Sequence, residues 1–133
     1  MKVRPPLSET ELAILKVLWD HGAGTVREVQ AIAHRKGRAW AYTTVQTLLA
    51  RLQRKGYVSC LKSPPAHIYQ PVLSRDEILQ SRLTDLAEEL CGGVASPLVL
   101  ALVEGKRFSA AEIEQFRKAL DEMEATKSAK KRR

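Results

Sequence analysis

The sequence predicts a mainly α fold with one small β-hairpin, and three observations predict it. Four Ser/Thr-x-x-Glu motifs, Ser8/Glu11, Thr25/Glu28, Ser74/Glu77 and Ser109/Glu112, each stand before a run with helical periodicity. In such a box the hydroxyl accepts from an orphan N–H of the first turn. The glutamate accepts from the cap's own N–H, so each box marks a helix start. Two short β-rich runs, 57–62 and 67–72, flank Ser63-Pro64-Pro65-Ala66 and read as a hairpin. Beyond Pro71, Leu79, Leu83, Leu86 and Leu90 are spaced 4-3-4, the rhythm of a helix–helix seam.

The elements follow in order. The first helix carries Leu12, Leu15, Leu18 and Trp19 on one face, with Leu7 placed to staple onto Leu12, and stops near Gly22. The second uses Val26, Val29, Ile32 and Ala33 and ends by Gly37. The third has Val45, Leu48, Leu49 and Leu52 at i, i+3, i+4, i+7, a buried stripe, and Gly56 ends it. Three helices followed by a hairpin are a winged helix-turn-helix, placed at residues 1–73. A helical region follows at 74–126. It contains the leucine seam to Cys91, a break at Gly92-Gly93, and an apolar helix at 98–103 with Pro97 at its first position. Its last helix, from Ser109 to about Ala125, has the stripe Ile113, Phe116, Leu120 and Met123. Residues 127–133 read as a disordered basic tail.

Charge divides the chain by job. Its 133 residues carry a net +7, but residues 1–75 hold 12 Lys/Arg against 4 Asp/Glu. Residues 76–126 reverse this, with 5 against 11, and residues 127–133 add five cations. A polyanion is a natural partner for the first half and the acidic second half is a poor surface for one. Cys60 and Cys91 stand in no paired motif, which fits a reducing cytoplasm. The N-terminus has no apolar core of a secretory signal, and no apolar run is long enough to insert into a membrane. His21, His34 and His67 lack spaced partners for a metal site. No phosphate loop, nucleophile elbow or acid/base pair is present, so neither a cofactor nor an enzyme activity is expected.

The third helix carries the functional signal. No acid occurs between Ala39 and Ser59. Opposite the apolar stripe, Thr43, Thr47, Arg51 and Arg54 fall on one face around the small Ala50, with Thr44 and Gln46 beside them. Hydroxyls and amides reach base edges or phosphates, threonine methyls pack on thymine methyls, and helix N-terminal amides favour phosphate. Arg35, Lys36 and Arg38 precede this helix as candidate phosphate contacts, and Trp40 and Tyr42 can pack by the ring while the N–H or O–H meets a phosphate. A solvated helix start with an ordinary charge run is the plainer reading of any one of these residues taken alone.

The helical region is open to two readings. Leu79, Leu83, Leu86 and Leu90, with Leu98, Leu102, Ile113, Phe116 and Leu120, could form a core within one chain or the interface of a homodimer. The short helices after Pro71 have too little chain to enclose a private core, which favours the dimer.

Four stretches, "LSETELAILKVLW", "TVREVQAIA", "WAYTTVQTLLARLQRKGYV" and "HIYQPVLSRDE", with the weaker "LVLALVEGKRFSAAEIEQFRKAL", resemble the penicillinase-repressor family (BlaI/MecI/CopY type) of bacterial regulators over roughly residues 7–122. The resemblance implies a homodimeric repressor that binds palindromic double-stranded operator DNA of TACA/TGTA type. Carried over by position, Trp40, Tyr42, Thr43, Thr44, Thr47 and Arg51 match its DNA-facing helix, with Lys55 and Lys62 extending the basic edge. In some relatives a membrane sensor protease cuts an Asn-Phe bond in the short apolar helix. Here Ala101-Leu102 stands at that place. Cys91 is alone where copper-responsive relatives have paired cysteines, and the Pro-containing wing turn lacks the usual glycine and charge. A protein-interaction adaptor that reuses a winged helix, and a nonspecific architectural DNA-binding protein, are the competing functions.

Overall fold

The computed structural model describes residues 4–63 and 65–131, with Pro64 of the wing turn and Arg132-Arg133 of the tail outside the described residues. The element order is α1 (Glu9–His21), α2 (Val26–Arg35), α3 (Tyr42–Lys55), β1 (Val58–Ser63), β2 (Ala66–Pro71), α4 (Arg75–Cys91), α5 (Ser96–Gly105) and α6 (Ala110–Lys131). The expected mainly α fold with an antiparallel hairpin is the observed one.

All four capping boxes form. Ser8, Thr25, Ser74 and Ser109 accept from the N–H of Glu11, Glu28, Glu77 and Glu112 at 3.1–3.2 Å, and each glutamate accepts from its cap's N–H at 2.8–3.2 Å. These bonds hold the Glu28 and Glu112 carboxyls below the usual range, the backbone N–H of Thr25 and of Ser109 contributing most.

The chain divides into two compact units, Met1–Ser81 and Arg82–Arg133. This division by contacts falls within α4, after the boundary expected between residues 73 and 74. The first turns of α4 belong to the N-terminal unit, because Ile78 and Leu73 pack against its core. That core joins Ile14, Leu15 and Leu18 of α1, Val26 and Val29 of α2, the whole α3 stripe, and Tyr57, Val58 and Tyr69 of the hairpin. Leu12 and Trp19, expected in the core face of α1, are only partly covered, whereas Ile14 and Val17 are buried.

Two contacts tie the wing and the N-terminal segment to the helices. Gly24 and Tyr69 exchange both backbone hydrogen bonds, at 3.0 and 2.8 Å, so the α1–α2 turn adds a single antiparallel bridge beside the hairpin. At the far end of α3, Gly56 takes a left-handed conformation with φ 89°, which a glycine adopts without a side-chain clash. Its N–H and that of Tyr57 then close the helix onto Gln53 and Leu52. Three hydrogen bonds tie residues 4–6 to this turn. The Lys55 ammonium donates to the Pro6 carbonyl, the Tyr57 hydroxyl donates to Pro5, and Arg4 donates to the Gly56 carbonyl.

In the C-terminal unit, α6 is helical to Lys131, so residues 127–131 of the expected disordered tail are helical, and its last two residues lie outside the described ones. From Ala110 to Lys131 there is no glycine or proline, and Ala, Glu and Lys are strong helix formers. The cations at its end also suit the negative end of the helix dipole. α5 is apolar on every side, yet its residues lie mostly exposed. Leu79, Leu83, Leu86 and Leu90 of α4, Leu102 of α5, and Ile113, Phe116 and Leu120 of α6 are all exposed, while Leu98 is half-buried. Phe116 meets Phe108 edge-to-face at 5.0 Å. No single helix among the described residues is long and apolar enough to cross a membrane.

Candidate nucleic-acid interface

The buried stripe of α3 fixes what its other face can do. Val45, Leu49 and Leu52 are fully buried and Leu48 nearly so, which locks the helix in rotation. The same periodicity then turns Thr43, Thr44, Gln46, Thr47, Ala50, Arg51 and Arg54 outward, and every one is exposed. Among the described residues, none of their side chains has a hydrogen bond or ion pair within the chain. Donors and acceptors are thus presented along one ridge with Ala50 as a low point. At its start the Ala41 cap gives no side-chain bond and the first turn holds no acid, so the leading amides stay open to an anion.

The approach to this helix is held from both sides. The Gln30 amide donates to the Trp40 carbonyl at 3.1 Å, and the Trp40 ring packs on the core with Arg38 5.2 Å above it. Arg38 also pairs with Glu9, which holds the Glu9 carboxyl below and the Arg38 guanidinium above their usual ranges. Lys36 pairs with Asp20 at 3.2 Å. Both cations are therefore oriented by α1 rather than free. Lys62 is exposed on β1, opposite His67 in the hairpin register.

Lys55 does not extend the ridge. Its ammonium is 2.6 Å from the Glu11 carboxylate, a side chain almost wholly buried. Burial alone would push Glu11 up, but the Lys55 hydrogen bond, the Ser8 N–H and hydroxyl, and the Lys55 charge together hold it below the usual range. Locally, Glu11 is the capping glutamate of Ser8 and Lys55 one of the cations that end α3. The pair lies 44 residues apart, so no local pattern announced it.

On α2, Arg27 and His34 join Arg35, already a candidate phosphate contact, in the same face: the three are exposed at i, i+7 and i+8, one stripe leading toward Trp40. Arg27 sits 5.5 Å over the Tyr42 ring, at a cleft of about 390 Å³ shared with Thr25, Gln46, His67 and Tyr69. The Tyr69 hydroxyl is pushed up, by burial first and by Cys60 second. The cleft brings the start of α2, the start of α3 and the wing to one place. The signal for this stripe in the sequence is the helical spacing of those three basic residues. No group of three His, Cys, Asp or Glu able to hold a metal occurs among the described residues.

The sequence and the N-terminal fold are matched by known proteins. The family model described as "Penicillinase repressor" matches residues 7–122. The chain belongs to the penicillinase-repressor family. Family members are DNA-binding transcriptional repressors and not enzymes. Over 122 residues the chain is 38% identical to the transcriptional regulator BlaI of Mycobacterium tuberculosis, covering 90% of this chain and 86% of that one. Over 122 residues it is 28% identical to the penicillinase repressor of Bacillus licheniformis, covering 92% and 94%. A solution structure titled as the DNA binding domain of the repressor BlaI matches at TM-score 0.50 and 32% identity. It covers 58% of this chain and 93% of that domain. The resemblance expected from the sequence is thus the family found.

Proposed function

We propose that this family member is a homodimeric, sequence-specific repressor whose two α3 helices read the half-sites of a palindromic operator of TACA/TGTA type. The exposed, unpartnered ridge from Thr43 to Arg54 carries this reading. Seven outward positions with no acid and no internal partner suit a groove lined by base edges and phosphates. In this reading Thr47 and Arg51 approach the bases. Tyr42, Thr43, Thr44 and Trp40 fix the docking, with Arg38, Gln46, Arg54 and Lys62 at the margins. The α2 stripe of Arg27, His34 and Arg35 rides on the sugar–phosphate backbone, as the first helix of a helix-turn-helix does.

The dimer half of the proposal rests on α4–α6. A helix that is apolar on all sides belongs in an interior, and α5 has none within its own chain. A second copy with the same exposed leucines is the self-complementary cover that two-fold symmetry supplies. Occupancy of the operator would then block transcription in the cytoplasm. The signal for release is unassigned. A membrane sensor protease is the partner that the resemblance offers, though Ala101-Leu102 lacks the bond cut in some relatives.

The test is titration of a TACA/TGTA palindrome and a scrambled duplex, followed by fluorescence anisotropy at several salt concentrations. The palindrome should bind more tightly, with log K falling about 0.9 per neutralised phosphate as log salt rises. Equal affinity for both duplexes would leave an architectural DNA-binding protein. No binding at low salt would leave an adaptor.

A further inference from the structure

Residues 1–75 contain four acids, which fall into two kinds. Glu11 and Glu28 cap helices, and Glu11 also holds Lys55 through a carboxylate side chain that is only 2% exposed. Glu9 and Asp20 lie at the surface of α1 instead, and both face cations of the segment that leads into α3. Arg38 donates through both terminal nitrogens to the two Glu9 oxygens. Lys36 donates to one Asp20 oxygen at 3.2 Å, and Arg75 donates to the other at 2.8 Å. Both pairs line one groove of about 230 Å³ between α1 and the end of α2, with Lys16 and Trp40.

The pairing is selective. Among the described residues, Arg27 and Arg35 of α2 and Arg51 and Arg54 of α3 have no acidic partner, whereas Lys36 and Arg38 on the flank do. A carboxylate that takes the guanidinium fork of Arg38 on both oxygens occupies the geometry a phosphate would use. These pairs are also open to exchange, because their side chains are 39–69% exposed and surface pairs are weak. The hydrogen bonds from Arg38, and from Arg75 and Lys36, hold the Glu9 and Asp20 carboxyls below their usual range, so both acids are charged near neutral pH.

We propose that Glu9 and Asp20 are internal competitors for DNA phosphate, which hold back Arg38 and Lys36 and so set how tightly, but not at which sequence, this repressor binds. The inference rests on the DNA-binding reading above and not on the dimer. When a phosphate takes Arg38, the displaced Glu9 stays nearby and opposes the same phosphate, so the cation adds little net neutralisation. With Glu9 neutral, Arg38 contributes in full and one more counterion leaves the duplex. The base contacts assigned to Thr47 and Arg51 involve neither acid, so a palindrome and a scrambled duplex gain alike.

The experiment uses the full chain, a TACA/TGTA palindrome and a scrambled duplex, titrated by fluorescence anisotropy at several salt concentrations. Glu9→Gln keeps an acceptor for Arg38 and loses only the charge. It should bind both duplexes about threefold more tightly at low salt, the scale of a weak surface pair. Its log K should fall more steeply with log salt, by up to about 0.9. Its preference for the palindrome should stay within about twofold of the parent's. In an Arg38→Ala background the gain should disappear, because it passes through that guanidinium. Asp20→Asn, with and without Lys36→Ala, should repeat the pattern, and its failure to do so strikes Asp20 from the proposal. Unchanged or weaker binding by Glu9→Gln overturns the proposal. So does a gain that survives Arg38→Ala, which is a general effect of charge, or a gain confined to the palindrome. A parent that binds neither duplex at low salt overturns the DNA-binding reading instead, before any variant is compared.

Discussion

The N-terminal unit and the C-terminal helices spend their apolar residues in opposite ways. In the first, leucines and valines from α1, α2, α3 and the hairpin close on one another and leave a polar ridge outside. In the second, α4 beyond Ser81, α5 and α6 hold large apolar residues, among them Leu83, Leu86, Leu90, Leu102, Ile113, Phe116 and Leu120, that remain exposed. A helix stripe gains stability only when another element covers it, and most helical stability comes from such packing. The comparison teaches that one half buries its apolar residues and presents a polar ridge, while the other half leaves apolar residues exposed, which is the basis of the dimer proposed above.

That contrast can be broken most forcefully in the core. Leu49→Ala removes a fully buried side chain from the middle of α3 and should cost about 2–5 kcal/mol in urea unfolding of the N-terminal unit. The matching change in the other half, Leu90→Ala, should leave unfolding of that unit unmoved. Its effect should appear in sedimentation as weaker self-association, because Leu90 is 68% exposed in the single chain. Equal destabilisation by both would erase the distinction.

Next in size is the buried ion pair. Glu11→Ala strands Lys55 and the Ser8 cap, and should cost about 3 kcal/mol by the same unfolding assay. Because the folded-state value of Glu11 lies below its unfolded value, its contribution is present above the unfolded value. It is lost as pH falls through the folded value. Acid titration of the parent and of Glu11→Gln should therefore converge at low pH, and curves that stay parallel would remove the pair from the account.

The ridge comes third. Thr47→Ala or Arg51→Ala should cost about 1–3 kcal/mol on the palindrome, with much less on scrambled DNA and no change in folding. Equal loss on both duplexes would reduce that residue to a backbone contact. The smallest effect belongs to the caps. Ser109→Ala should cost about 1 kcal/mol and show as lost helicity in α6. Ser8→Ala should register in global unfolding, since α1 is packed into the cooperative unit and Ser8 also holds Glu11.

The parts legible in the sequence are those whose cause is local. Each capping box spans four residues, and all four formed. The α3 stripe repeats within two turns, so its burial and the exposure of Thr43, Thr47, Arg51 and Arg54 were readable together. Two further features are local too: Lys127 and Lys130 are helix formers as well as charges, and Arg27, His34 and Arg35 recur at helical spacing. What no window could reveal are pairings between distant positions: Glu11 with Lys55, Gly24 with Tyr69, Trp19 with Leu73, and Asp20 with Arg75.

By itself, then, the order of residues determined where helices start, which side of α3 is greasy, and which family motifs the chain carries, because capping and periodicity act over a few bonds. Only the tertiary structure decided that a lysine at the end of α3 faces inward to a buried acid, that α4 is rooted in the N-terminal core, and that the α1–α2 turn joins the wing. Those outcomes depend on which surfaces meet after the chain has closed loops of some 45 to 55 residues. The selection is made by packing and desolvation across the whole unit, and short-range preference carries no information about it.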